Sequence, residues 1–217
     1  MSDGPRRAAP TRIAGLVLAG GRSSRFGAEK AVATLAGRPL LAWNLAALEG
    51  ASETVAVSAA LGSETAALAR SLGRAVVGDD PGHAKGPLAG LAAGLAWASG
   101  AGFDLLISLP CDMPLVGTRQ VEALIGALDG ARAAHATTSD GPQPLCAVWR
   151  VDLADRLAAR LAAGDHPPVK AFLAEIGAIP VAFADPLAFR NANTLKALAA
   201  IEAELERGDA CLRSPLA

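Results

Sequence analysis

Apolar runs of four to six residues alternate, through the first half of this chain, with Ala- and Leu-rich stretches of helical period. This pattern predicts strands over 13–19, 54–59, 74–78 and 103–109, and helices over 39–49, 62–72, 87–98 and 118–128. Within 87–98, Leu88, Leu91, Leu95 and Ala98 recur at helical spacing, and Pro39 suits a first helical turn. The second half is less regular. Strands over 132–138 and 144–149 flank the turn signal Ser139-Asp140-Gly141-Pro142. Helices over 151–163 and 168–176, a strand over 178–184 and a last helix over 195–207 complete the reading.

Strand–helix alternation implies a parallel sheet covered on both faces. In such sheets ligands bind beyond the carboxyl ends of the strands, near a topological switch. Gly20-Gly21, Asp79 and Asp112 each follow a predicted strand directly, so they should line one edge and face one crevice. The 217 residues suit one α/β domain, or at most two small ones. With no repeat and no long low-complexity linker, the expectation is a flexible leader over 1–12, one domain over 13–207 and a tail over 208–217.

Charge narrows the partners. The net charge of −1 does not suit a nucleic-acid-binding domain. Positive charge is local, at Arg22, Arg25, Lys30 and Arg38, which favours a small anionic ligand. The three cysteines include no Cys-x-x-Cys pair, against a disulfide framework or a structural zinc site. No apolar run approaches the roughly 20 residues that span a bilayer. The start, with Arg6, Arg7 and Arg12, lacks the apolar core of a signal peptide. A cytoplasmic protein without membrane contact is expected.

Four motifs carry chemistry. The first is the run from Leu16 to Lys30: a buried strand, a Gly20-Gly21 turn, then a basic loop. Glycine lets backbone N–H groups approach an anion closely, and Arg25 and Lys30 add charge suited to a polyphosphate. It is neither a Gly-x-Gly-x-x-Gly dinucleotide fingerprint nor a Walker loop, and a solvated loop would also explain the charges. The second is Leu109-Pro110-Cys111-Asp112-Met113-Pro114, which delivers one carboxylate at a strand tip. Mg²⁺ usually takes one or two carboxylates plus phosphate oxygens, although an isolated Asp there is as readily a turn former. The third is Gly86-Pro87-Leu88-Ala89-Gly90, a helix start with free N–H groups. The fourth is Asn191-Ala192-Asn193-Thr194, whose amides can meet a polar ligand or a metal, or simply cap the last helix. His83, His135 and His166 show no ligand spacing.

Leu18-Ala19-Gly20-Gly21-Arg22-Ser23-Ser24-Arg25-Phe26-Gly27 with Lys30 resembles the signature of the molybdenum cofactor guanylyltransferases. The other three motifs follow in that family's order and spacing, so the resemblance covers about residues 13–205. It implies a three-layer α/β/α sandwich, with a mostly parallel sheet, of the nucleotide-diphospho-sugar transferase type. It also implies transfer of GMP from GTP to molybdopterin-bound molybdenum, releasing pyrophosphate, with Mg²⁺ as cofactor. On this reading Leu18, Ala19, Gly20 and Gly21 touch the nucleotide, with Gly86 at the same edge. Arg25 and Lys30 hold phosphates, and Asp79 lies near the base or ribose. Asp112 binds Mg²⁺ and nucleotide, while Asn191 and Asn193 lie on the pterin side or near the metal. Transient contact with other cofactor-biosynthesis proteins or apo-molybdoenzymes would follow.

Departures from the family pattern are Phe26 for Met, Glu29 for Asp, Ser58 for Asn and Leu195-Lys196 for Pro-Glu or Pro-Asp. The rival readings are a CTP-using cytidylyltransferase of the same cofactor, a sugar-phosphate nucleotidyltransferase on the same fold, and a non-catalytic carrier. Leu-Ala-Gly-Gly, rather than Leu-Ala-Ala-Gly, points to guanine in this resemblance.

Overall fold

The computed structural model describes residues 10–20, 29–78 and 86–206. Its centre is a seven-stranded sheet. The strands are β1 (Ile13–Leu18), β4 (Thr54–Ser58), β5 (Ala75–Val77), β6 (Leu105–Pro110), β7 (Ala133–Thr138), β8 (Gly141–Arg150) and β9 (Ile179–Ala182). They lie in the order β5-β4-β1-β6-β8-β7-β9. β1, β4, β5 and β6 run parallel, β8 is antiparallel to β6 and β7, and β9 is parallel to β7. A second sheet is a small hairpin of β2 (Thr34–Leu35) and β3 (Arg38–Pro39), turning through Ala36 and Gly37 at positive φ.

Alternation within the strands builds two apolar layers. Ala14, Leu16 and Leu18 of β1 and Leu106 of β6 face one side. That side is covered by α3 (Pro87–Gly100), α5 (Ala154–Ala162) and α6 (Val169–Glu175), through Leu91, Leu95, Leu157 and Phe172. Val17, Leu105, Ile107 and Leu109 face the other side. There α1 (Leu40–Glu49), α2 (Glu64–Ser71) and α4 (Thr118–Gly126) pack, with Leu45, Leu48, Ala66 and Leu124. The expected three-layer α/β/α arrangement is therefore the one observed. α7 (Leu195–Glu206) joins neither layer: its Leu198 and Ile201 pack with Leu35, Leu40 and Ala192 beside the small hairpin.

Close approach of α3 depends on two glycines. A Cβ at Gly94 would fall 2.3 Å from Cδ2 of Leu16, and one at Gly90 would fall 2.5 Å from Oγ of Ser58. The chain enters the sheet centrally at β1, steps outward to β4 and β5, then crosses to β6 on the opposite flank of β1. The carboxyl ends of β1 and β6 thus form the topological switch of the sheet.

Some expectations need adjustment. The leader reading extends through Arg12, yet Arg12 is tied down: its N–H meets Asp104, its guanidinium pairs with Glu53 at 3.0 Å and lies over Phe103. The helix expected at 151–163 begins as a short 3-10 turn, Val151–Leu153. β8 starts at Gly141, earlier than expected, and its pairing with β7 shifts between His135 and Ala136. Pro142 and Pro144 lie in that stretch and supply no N–H to a ladder. No described helix is long and apolar enough to cross a membrane.

Candidate active site

β1 and β6 pair to their tips, and beyond them the N–H of Cys111 donates to the carbonyl of Leu18 at 3.0 Å. This bond brings the start of the glycine turn beside the residue preceding Asp112. On the other flank, the N–H of Ala19 donates to the carbonyl of Ser58 at 3.0 Å. Ser58 itself is buried against Gly90, which accounts for a small residue where the family pattern has Asn.

The described chain resumes at Glu29, just before the lysine. Lys30 opens a 3-10 turn, Lys30–Val32, whose preceding residue is Glu29. Glu29 is held at the amino end of α2, where its carboxylate accepts from the N–H of Glu64 (3.2 Å), the N–H of Thr65 (2.7 Å) and the Thr65 hydroxyl (2.5 Å). Partial burial pushes its carboxyl up, but these bonds and the nearby Ser63 hydroxyl outweigh that and hold it below its ordinary value. Glu29 therefore locks the backbone from which Lys30 projects. Nothing local in the sequence marks this hold of Glu29, because its partners lie more than thirty residues away.

Lys30, Asp112 and Asn193 meet. Nζ of Lys30 donates to Oδ2 of Asp112 at 3.1 Å and to Oδ1 of Asn193 at 2.5 Å. The Lys30 and Asp112 side chains are only 19% and 21% exposed. Asn193 reaches this point because the 190–194 segment is strapped over the tip of β6. The N–H of Ala192 donates to the carbonyl of Asp112 at 2.7 Å, and Arg190 pairs with Glu204 of α7 at 2.6 Å. Thr194 takes the capping role, its Oγ1 accepting from the N–H of Ala197 at 3.0 Å, which leaves the Asn193 amide for Lys30. Asn191 sits on the same strap, partly exposed.

Gly86 precedes the first turn of α3 with φ near 148°, a backbone that favours glycine. Arg38, counted with the basic loop in the sequence, is spent elsewhere: it donates to the carbonyl of Ala42 and lies over the ring of Trp43. Gly21, Arg25 and Asp79 lie outside the described residues, as do 1–9 of the leader and the tail from 208. An open cavity of about 440 Å³ lies at the opposite rim, lined by Ile13, Asp104 and Arg150, away from this chemistry.

The donor set fits Mg²⁺. Two hard oxygens, from Asp112 and Asn193, converge on one position that the Lys30 ammonium fills. An oxygen pair already arranged around a cation, with one carboxylate, is what Mg²⁺ uses when phosphates supply the remaining oxygens. Among the described residues no group of three or more His, Cys, Asp or Glu could hold a metal by itself. Cys111, beside Asp112, is buried, and burial together with the Asp112 charge pushes its thiol up to about 12, so it is an inert packing group.

Gly20 beyond the end of β1, a lysine and a strand-tip aspartate on one rim of a doubly covered α/β sheet are the arrangement of a nucleotidyltransferase-type domain. The chain matches the family model of the MobA-like NTP transferase domain over residues 15–179. It is 41% identical over 197 residues to a molybdenum cofactor guanylyltransferase of Cereibacter sphaeroides, covering 90% of this chain and 98% of that one. A molybdenum cofactor guanylyltransferase of Burkholderia vietnamiensis is 41% identical over 198 residues, covering 87% and 95%. The solved molybdopterin-guanine dinucleotide biosynthesis protein A of Archaeoglobus fulgidus has the same fold, with a TM-score of 0.72 at 24% identity over 89% of this chain and 99% of that one. The chain belongs to the molybdenum cofactor guanylyltransferase family.

Proposed function

We infer that this chain transfers GMP from GTP to the molybdopterin form of the molybdenum cofactor, giving the guanine dinucleotide cofactor and pyrophosphate. Its relatives of about 40% identity carry that activity in their names, and this favours GTP over the CTP and sugar-phosphate readings. The observation that carries the chemistry is the convergence of Lys30, Asp112 and Asn193 at the β1–β6 switch.

The reaction is an in-line displacement. A terminal phosphate oxygen of molybdopterin attacks the α-phosphorus of GTP, and the bond from that phosphorus to the bridging oxygen of the β-phosphate breaks. The attacking phosphate is largely ionised near neutral pH, so it needs no strong general base. Catalysis is then positioning and charge neutralisation. The backbone at Leu18, Ala19 and Gly20 lies where it can line the nucleotide. Lys30 exchanges its carboxylate partner for phosphate oxygens and offsets charge on the transferring and leaving groups. Asp112, with Asn193 beside it, would hold Mg²⁺, which would supply positive charge to offset that of the triphosphate. Asn191 stands on the acceptor side of the strap. Gly21, Arg25 and Asp79 keep the roles implied by the resemblance, Gly86 holds the nucleotide at the start of α3, and the cytoplasm is the proposed compartment. Transient contact with cofactor-biosynthesis proteins or apo-molybdoenzymes belongs to the same proposal.

The test is a side-by-side assay with GTP and CTP in the presence of molybdopterin-bound molybdenum. Pyrophosphate release and a guanine dinucleotide product with GTP support the inference; preferential turnover of CTP overturns it.

A further inference from the structure

Asn44 has no role in the reaction as described, yet it is the polar residue on the buried face of α1, with an exposure of 0%. Its Nδ2 donates to the carbonyl of Leu40, one turn back, at 3.1 Å. It also donates across the layer to the carbonyl of Cys111 at 3.2 Å. Its own Oδ1 is buried with no hydrogen-bond partner. An apolar side chain of the same volume would fill this place among Leu40, Leu41 and Leu45 with no unpaired acceptor of its own. Packing alone therefore disfavours asparagine here, and the compensating gain lies at Cys111.

The Cys111 carbonyl lies past the end of every ladder. Pairing of β6 with β8 stops at Ser108, and pairing with β1 stops at Pro110. The Cys111 oxygen and the Asp112 nitrogen share one rigid peptide plane. Holding that oxygen fixes the plane on the amino side of the Asp112 Cα. The plane on the carboxyl side is fixed by the 2.7 Å bond from the Ala192 N–H to the Asp112 carbonyl. With both flanking planes clamped, one from α1 and one from the strap, the Cα–Cβ bond of Asp112 has a fixed direction, and from it Oδ2 accepts from Lys30.

We propose that Asn44 is a positioning residue for Asp112: its buried amide clamps the peptide preceding that carboxylate and so aims it at the cation and triphosphate. This rests on the reading of Asp112 as the cation-holding group.

The test is Asn44→Leu in the full chain, measured by thermal unfolding, by the kinetics of pyrophosphate release, and by Mn²⁺ binding in the presence of GTP, followed by electron paramagnetic resonance. The variant is expected to melt within a few degrees of the wild type, because it removes the stranded Asn44 Oδ1 but leaves the Cys111 carbonyl without its donor. Its kcat is expected to fall about tenfold to a hundredfold, with the Mn²⁺ dissociation constant raised by a similar factor, as for other groups that orient a metal ligand. KM for GTP should change far less. Wild-type kcat and Mn²⁺ affinity would overturn the proposal, as would losses in kcat and KM that simply track a lowered melting temperature. If the leucine variant does not fold, Asn44→Ala removes the tether without added bulk, and the same two outcomes decide. Asp112→Asn is measured alongside. If it retains turnover, the reading of Asp112 fails and takes the tether with it. If it is inactive while Asn44→Leu behaves as wild type, only the tether fails.

Discussion

Replacing Asp112 with asparagine should separate its use as a counter-ion from the metal-holding role proposed for it. The ion pair with Lys30 spans 3.1 Å, with both side chains about four-fifths buried. At an effective dielectric near 20 the direct attraction is about 5 kcal/mol. Most of it offsets the desolvation of the two charges, and Asn193 still holds the ammonium at 2.5 Å after the change. Asparagine also keeps an oxygen facing Lys30. The net loss of stability is therefore about 1 kcal/mol, nearer a surface pair than a buried one. For a chain of this length that lowers the melting temperature by about 2–4 °C. The effect on transfer is far larger. In the proposed mechanism this charge fixes the cation against the phosphates, so its loss removes stabilisation made chiefly in the transition state and should cost at least about a hundredfold in kcat. Circular dichroism melts and pyrophosphate release at saturating GTP and Mg²⁺ measure the two quantities on the same preparation. Turnover within a few-fold of wild type refutes the role given to Asp112. A melting temperature lowered by tens of degrees refutes the estimate of the pair and makes any loss of activity a folding effect.

Glu29→Gln should destabilise the protein at pH 7 but hardly at all in acid. The Glu29 carboxyl is held below its ordinary value in the folded chain, so its stabilisation is complete above that ordinary value and fades as pH falls through the folded one. Melts across pH 3–8 should show the wild-type and variant curves converging at the acid end; a constant gap contradicts the assignment. Gly90→Ala places a Cβ 2.5 Å from Oγ of Ser58 and 3.2 Å from Cδ2 of Leu18, with Ser58 only 1% exposed. Overpacking of this kind costs about 1–3 kcal/mol and should appear as a lower melting temperature in calorimetry; an unchanged value means the layer yields.

The central strands were legible in the sequence because they are buried on both faces. β1, β4 and β6 are mostly apolar runs, broken inside β6 only by the buried Ser108, and their observed ends lie within two residues of those expected. Their tips are also where the chemistry gathers, so the pattern alone puts Gly20-Gly21 and Asp112 on one crevice, whereas Lys30, well past the strand, has no such signal. Local pattern says less about contacts between distant residues. The holds of Glu29 on α2 and of Asn44 on Cys111 join positions 36 and 67 residues apart, and neither leaves a local signal. The β2–β3 hairpin has two-residue strands, too short for any periodicity. Arg38 looked like part of a basic cluster because it is near Lys30 in sequence, but the hairpin turns it onto Trp43. Asn193 had two open readings, and Thr194 decided between them by taking the cap.

Crystals of the full chain grown with GTP and Mn²⁺ in place of Mg²⁺ would test the heart of the mechanism. A cation shared by the strand-tip carboxylate and the triphosphate predicts an anomalous manganese peak about 2.1 Å from an oxygen of Asp112, with the Lys30 ammonium moved from that carboxylate to phosphate oxygens. A manganese peak on the triphosphate alone, with the Lys30–Asp112 pair intact, would contradict it.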